Sequence, residues 1–191
     1  MLLRAKTRLR ECRNLWLLRG RFEDLPLQSQ SVDYLYSILA FHWTTDLHRS
    51  VCELARVLKP GGSMDLFFTG RDTGGEFTKI TTPIFLKYMG PQRLLASAGR
   101  RKHLTRADAD ALFARTFSRN CLFVEESQQT YYDDIEGHWS WWTARAAGHF
   151  LDIPADQRRP CDEEIKAAIK GLEGDLGIPY TIHLLHVQVR P

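Results

Sequence analysis

The feature that most constrains the fold of this chain is one unit between Val32 and Thr69. An almost continuous apolar run, Val32 to Leu39, is followed by Thr45-Asp46, a segment with Leu47, Val51, Leu54, Ala55 and Leu58 on the helical period, a Pro60-Gly61-Gly62 stop, and a second apolar run, Met64 to Thr69. An apolar run of this length suits a strand buried on both faces of a parallel sheet. Thr45-Asp46 supplies an N-cap, and the proline and glycines end the helix. Strand, helix and strand then form one right-handed crossover, which predicts an α/β fold with ligands at the carboxyl ends of its strands.

The chain of 191 residues suits one domain, and its 43% apolar and 26% charged residues are those of an ordinary globular protein. No apolar run approaches the roughly 20 residues of a membrane span. A net charge of +3 gives no strong whole-chain attraction to nucleic acid. Cys12, Cys52, Cys121 and Cys161 are scattered without metal-ligand spacing, which points to a reduced, cytoplasmic setting. Arg4, Lys6, Arg8, Arg10, Arg13, Arg19 and Arg21 face a single Glu11 near the start. That pattern fits a solvated helix face better than a transit peptide, because it runs directly into an apolar segment.

Residues 2 to 12 read as a helix, and Asn14 to Leu18 as a short strand closed by Gly20. Gly70 to Gly99 reads as turn-rich and then apolar, while Thr105 and Asp108 form a capping-box signal before a helix with Ala109, Leu112, Phe113 and Phe117. Leu122 to Tyr132 and Tyr180 to Val189 read as strands. Two helical stretches separate them, about Ile135 to Phe150 and Asp162 to Leu172. The glycines of residues 70 to 75 lack a Gly-Lys-Ser/Thr ending and are not a phosphate loop.

Three segments occur in a telling order: Gly20-Arg21-Phe22-Glu23-Asp24-Leu25-Pro26, Ser31 to Trp43 ending in His42-Trp43, and Arg56-Val57-Leu58-Lys59-Pro60-Gly61-Gly62. In order and spacing they resemble the middle of a class I S-adenosylmethionine-dependent methyltransferase, of the type 11 or biotin-synthesis malonyl-carrier-protein group. The resemblance implies a Rossmann-like α/β fold with an antiparallel last strand and a helical substrate-lid insertion, residues 133–178, before it. It further implies a single domain over residues 1–191 that lacks the family's first two strands, its glycine-rich turn and its ribose carboxylate.

The cofactor implied is S-adenosylmethionine, bordered by Arg21, Phe22 and Glu23 at the adenine turn and by Ser37 and Leu39 at the strand tip. Its binding is expected to be weakened, since Arg21 stands where the family places a hydrogen-bond acceptor, and an arginine only donates. Glu23 or Asp24 is then the substitute acceptor, and Phe22 a stacking surface.

The acceptor implied is a small molecule or an acyl or carrier-linked group, bordered by His42, Trp43, Trp139 and Trp142. No nucleic acid or membrane is expected as a partner. His42 reads either as a base or as a packed structural ring. Trp139, Trp141 and Trp142, with Tyr131, Tyr132, His138, His149 and Phe150, read either as a lid or as core. Arg100-Arg101-Lys102-His103 reads either as a contact for an acidic partner or as a solvated loop. The rival to an enzyme is a cofactor-deficient fragment or pseudoenzyme that binds a partner. Missing strands also predict self-association through exposed sheet edges.

Overall fold

The computed structural model describes residues 2–145 and 153–191. In chain order the elements are α1 (Leu2–Arg8), β1 (Val32–Ile38), a short 3₁₀ turn (Phe41–Trp43), α2 (Leu47–Val57), β2 (Leu58–Thr69), α3 (Gly75–Ala98), α4 (Arg106–Phe113), β3 (Leu122–Asp133), α5 (Ile135–Arg145), α6 (Arg158–Lys170) and β4 (Ile178–Val189). The sheet order is β1-β2-β4-β3, with β1 and β2 parallel and both pairings of β4 antiparallel. The expected α/β crossover and antiparallel last strand are therefore present.

Local chemistry explains the crossover. Asp46 caps α2 by accepting from the Arg49 N–H at 2.9 Å, and α2 passes straight into β2 without a loop. Between Val32 and Tyr34 the register advances two residues on β1 against five on β2, from Leu58 to Ser63. Lys59 to Gly62 thus face Asp33 alone, three residues in surplus, and the irregularity needs glycine twice. Gly61 has φ +77°, and a Cβ on Gly62 would meet the Asp33 carbonyl at 3.1 Å. The Lys-Pro-Gly-Gly sequence is thus an irregularity built into the strand entry rather than a stop placed before it.

Two cores divide the work. The first lies under α2 and α4, where Met64, Leu66 and Phe68 of β2, Leu185, Val187 and Val189 of β4, and Leu122 and Val124 of β3 meet Phe41, Val51, Leu54 and Phe113. The second joins Phe77, Ile84, Phe85 and Met89 of α3 to Trp142, Ile165, Ile169 and Ile178. Thr69, the last residue of β2, pairs with Leu184, whereas β3 and β4 stay paired back to Asp133 and Ile178. That hairpin extension projects beyond the carboxyl end of the parallel pair, and the second core is built on it.

Two expectations fail. Asn14 to Leu18 lies outside the sheet, with Trp16 80% exposed. A five-residue apolar run forms a strand only where a neighbouring strand accepts its backbone hydrogen bonds, and none does so here. Residues 75–98, read as turn-rich and then apolar, form α3, bent at Gly90 (φ 74°, ψ 166°). Pro91 follows the bend, where its missing N–H costs nothing. The remaining helices match within a few residues, although the far end of the stretch read as Ile135 to Phe150, with His149 and Phe150, lies outside the described residues.

Candidate functional site

The carboxyl ends of β1 and β2 form the candidate site. Leu39 leaves β1 with φ +54° and its N–H bonded to the Phe67 carbonyl at 2.7 Å, which turns the chain sharply into the 3₁₀ turn. A left-handed leucine is strained unless its surroundings hold it. Phe41, fully buried, is what holds it: its ring sits 5.5 Å from Phe22, 5.1 Å from Phe68 and 5.4 Å from Phe113. Ser37 stays in the ladder opposite Leu66.

His42 is buried, its Nδ1 accepting the Thr69 N–H at 3.4 Å and its carbonyl accepting the Lys102 N–H at 2.8 Å. It therefore ties the tips of both parallel strands to the basic segment. Trp43, 4.9 Å from the His42 ring, is more open. Replacing His42 by Ala is expected to destabilise the fold by roughly 2 kcal/mol in urea denaturation, the scale for a buried, hydrogen-bonded side chain. Unchanged stability would return the ring to the role of a base.

The turn of residues 20–27 is stapled to α2. Glu23 Oε1 accepts from Thr44 Oγ1 (2.7 Å), Thr45 N (2.5 Å), Thr45 Oγ1 (2.6 Å) and Asp46 N (3.2 Å). Burial alone would raise this carboxyl, but the bonds from Thr45 and Thr44 outweigh it and hold the group well below the usual carboxylate range. Arg56 Nη2 and Nη1 donate to the carbonyls of Leu25 (3.1 Å) and Leu27 (2.9 Å), while Glu53 accepts the Leu25 N–H at 3.1 Å. Glu23 thus acts as an anchor, and Phe22 packs edge-on against Phe41. Arg21 lies exposed beside Glu23 Oε2 at 3.8 Å, which leaves Asp24 as the turn's exposed carboxylate.

The basic run does not float. Arg101 Nη2 donates to Thr69 Oγ1 at 2.6 Å, and Arg71 Nε donates to the His103 carbonyl at 3.4 Å. Loss of water around its ring, with smaller effects from Arg101 and Arg71, lowers the His103 pKa although the side chain still meets solvent. Positive charge at the strand tips accordingly comes from Arg71, Arg100, Arg101 and Lys102. Beside them His183, fully buried under Gly70, places Nε2 3.1 Å from Glu126 and accepts the Asp72 N–H at 3.3 Å.

Trp139 and Trp142 are placed elsewhere, in the second core. Trp142 is 8% exposed and stacks on Phe85 at 6.1 Å, and Trp139 lies partly buried with Lys166 Nζ 5.8 Å above its ring. Sequence reasoning also passed over one cluster. Asp65 accepts from the Tyr34 hydroxyl (2.7 Å) and from Arg190 Nη2 (2.8 and 2.9 Å), with His186 Nε2 at 2.7 Å. Its only signal in the sequence was a charge inside an apolar strand. Among the described residues no group of three or more His, Cys, Asp or Glu is placed to hold a metal ion, and no helix is long and apolar enough to cross a membrane.

A mixed sheet of this order, with its last strand antiparallel, defines an α/β unit whose parallel strand tips carry the candidate site. Residues 1–65 match the family described as a methyltransferase domain. A malonyl-acyl-carrier-protein O-methyltransferase of Coxiella burnetii is 42% identical over 57 residues, 30% of this chain and 20% of that protein. Its counterpart in Methylococcus capsulatus is 42% identical over 60 residues, 31% of this chain and 22% of that protein. The matched stretch thus spans about a fifth of the length of these relatives.

Among solved structures, the YcgJ protein of a Bacillus superposes with a TM-score of 0.61 at 18% identity, over 98% of this chain and 76% of that one. The cyclase SpnF superposes at 0.50 and 15% identity, over 100% of this chain and 63% of that one. The fold alone therefore leaves the reaction open. Over residues 1–65, however, the chain is similar in sequence to a methyltransferase domain.

Proposed function

We propose that this chain serves methyl transfer from S-adenosylmethionine to an anionic acyl or carrier-linked acceptor, and that its own residues form the acceptor side of that site. The observation that carries the proposal is the docking of Arg100–His103 onto the strand tips through Arg101 with Thr69 and Lys102 with His42. A solvated loop has no need of such bonds. A carboxylate or an acidic carrier surface approaching Trp43 would meet this charge at close range. In the same reading the described parts of the insertion, residues 133–145 and 153–178, wall the far side, with Trp139 and Trp142 bracing them from the second core. The malonyl-carrier activity of the named relatives supports the same acceptor class.

The fit to the cofactor is one-sided. Asp24 and the turn around it offer an edge to adenine, but among the described residues no glycine-rich strand-to-helix turn is present for the methionine half. Methyl transfer from a sulfonium centre needs alignment and exclusion of water more than a dedicated base. Burial of His42 under Trp43 is consistent with that demand.

Binding of a malonyl-loaded acyl carrier protein, followed by calorimetry, tests the acceptor assignment. Charge reversal at Arg100 and Lys102 together is expected to weaken binding about tenfold or more, and raising salt to several times the physiological level should do the same. Binding indifferent to both changes would overturn the assignment.

A further inference from the structure

Every second residue of β4 from Leu185 to Val189 enters the first core, and His183 takes the next place in that alternation, 1% exposed. A buried imidazole needs partners for both nitrogens. Here Nδ1 accepts the Asp72 N–H at 3.3 Å, so the ring proton lies on Nε2 and is donated to Glu126 at 3.1 Å. The ring lies against Gly70, where a Cβ would come within 2.5 Å of Nδ1.

The turn of residues 70–73 is fastened to the β4 backbone at its ends. The Gly70 N–H donates to the His183 carbonyl at 2.8 Å, and the Thr73 hydroxyl donates to that carbonyl at 2.8 Å and accepts the His183 N–H at 3.1 Å. Its middle is held differently. The Asp72 N–H rests on the ring, whereas Arg71 reaches the basic segment, its N–H donating to the Leu104 carbonyl at 2.9 Å and its Nε to the His103 carbonyl at 3.4 Å. A change at the ring nitrogen therefore acts one residue away from the arginine that holds the segment.

We propose that His183 is a positioning residue whose second proton shifts the basic segment and so weakens its hold on an anionic acceptor; this rests on the acceptor assignment made above. A proton on Nδ1 turns an acceptor into a donor, which then faces the Asp72 N–H and breaks that bond. The Asp72 carboxylate, its Oδ2 3.6 Å from Nδ1, is placed to take over, while Glu126 holds the other nitrogen in both states. The turn thus has two arrangements, one for the neutral ring and one for the imidazolium. The charged groups facing the ring are Asp72 on the turn and Glu126 on β3, and the neighbouring Arg71 is engaged by Asp108 at 2.9 Å. The two carboxylates enclose the added charge, so it does not reach the acceptor. Protonation of His103 would add a cation to the segment and strengthen its hold on an anion, the opposite sign. His42, whose Nδ1 accepts the Thr69 N–H, shares the sign of His183, so the test is made on His183 itself.

Two measurements on the whole chain test the proposal. Without any carrier, the amide resonances of Arg71, Asp72, Lys102 and His103 should shift as the His183 ring titrates between about pH 8 and 5.5, the span in which histidine changes charge. His183→Asn keeps an acceptor at the Nδ1 position but takes no proton. It should abolish the shifts of Arg71 and Asp72 and reduce those of Lys102 and His103. With malonyl-loaded acyl carrier protein, the wild type should lose about tenfold in affinity over the same range, the scale of one positioning hydrogen bond, while His183→Asn changes by less than ~3-fold. A ring that takes up no proton, amides that do not follow it, or an unaltered binding profile in His183→Asn would overturn the proposal. Failure of the carrier to bind at any pH would defeat the acceptor assignment instead, and the amide titration would still decide whether His183 moves the segment. If His183→Asn fails to fold, Asp72→Asn on the exposed turn replaces it. Removing the carboxylate that receives the imidazolium should move the amide shifts to lower pH, and shifts left in place would overturn the proposal.

Discussion

Trp142→Ala is expected to cost about 3–5 kcal/mol of folding stability, the range for truncating a large buried aromatic side chain. The indole is 8% exposed, lies stacked on Phe85 at 6.1 Å and 6.4 Å from Phe77, and joins α5 to α3. No rearrangement of a few side chains fills the hole left by a methyl group there. Since a domain of this size holds only about 5–15 kcal/mol in total, the variant should show an unfolded fraction on mild warming.

Trp142→Phe separates packing from polarity. The indole Nε1 is buried and bonds to no group among the described residues, so a phenyl ring keeps most of the contact without the orphaned donor. Its cost should be less than half that of the alanine variant. Chemical denaturation of both variants and of Trp139→Ala, where the ring is only partly buried, measures the difference. Equal stability of wild type and Trp142→Ala would move Trp142 from core to lid.

Periodicity made part of this fold legible and hid the rest. The crossover from Val32 to Thr69 was readable because a strand, a cap, an apolar helical stripe and a glycine pair each speak locally. The same local reading misplaced Asn14 to Leu18, whose apolar run looks like a strand in any window. Whether such a run becomes one depends on a neighbour, and a neighbour is not a local property. It also read Gly70 to Gly99 as turn-rich and then apolar, although residues 75–98 form a helix that Gly90 bends without ending.

The site shows a similar split. The segments that carry the family likeness were visible, but the reason for several of their residues was not. Glu23 and Arg56 lie far apart in sequence, and each anchors the turn between them by bonds to backbone groups, which composition does not reveal. Arg100–His103 looked like any exposed charge run until Thr69 and His42 were found beneath it. The aromatic residues were ambiguous because a pocket wall and a core use the same side chains. Trp142 is distinguished only by the two α3 rings, Phe77 and Phe85, packed against it.

Glu23→Ala should be nearly as damaging as Trp142→Ala, at roughly 3 kcal/mol, because it strands partners rather than removing bulk. Thr44 is buried, and its hydroxyl, already in contact with Ser50, loses its carboxylate; the N–H groups of Thr45 and Asp46 lose theirs in the same step. The bonds to Thr45 and Thr44 overcome burial and depress the folded-state pKa of Glu23, whereas the unfolded chain keeps an ordinary value near 4.5. A depressed carboxylate contributes stability that is complete above the unfolded pKa and fades as pH falls toward the folded one. The wild-type urea midpoint is therefore expected to fall steadily below about pH 4.5. Glu53 and Asp65, also depressed by their partners, add to that slope, so the comparison must be with a variant. Glu23→Gln cannot ionise, and its midpoint should be lower than wild type at neutral pH but converge on it in acid. Two parallel profiles, offset by a constant amount across this range, would show that the charge on Glu23 is not what holds the turn to the start of α2.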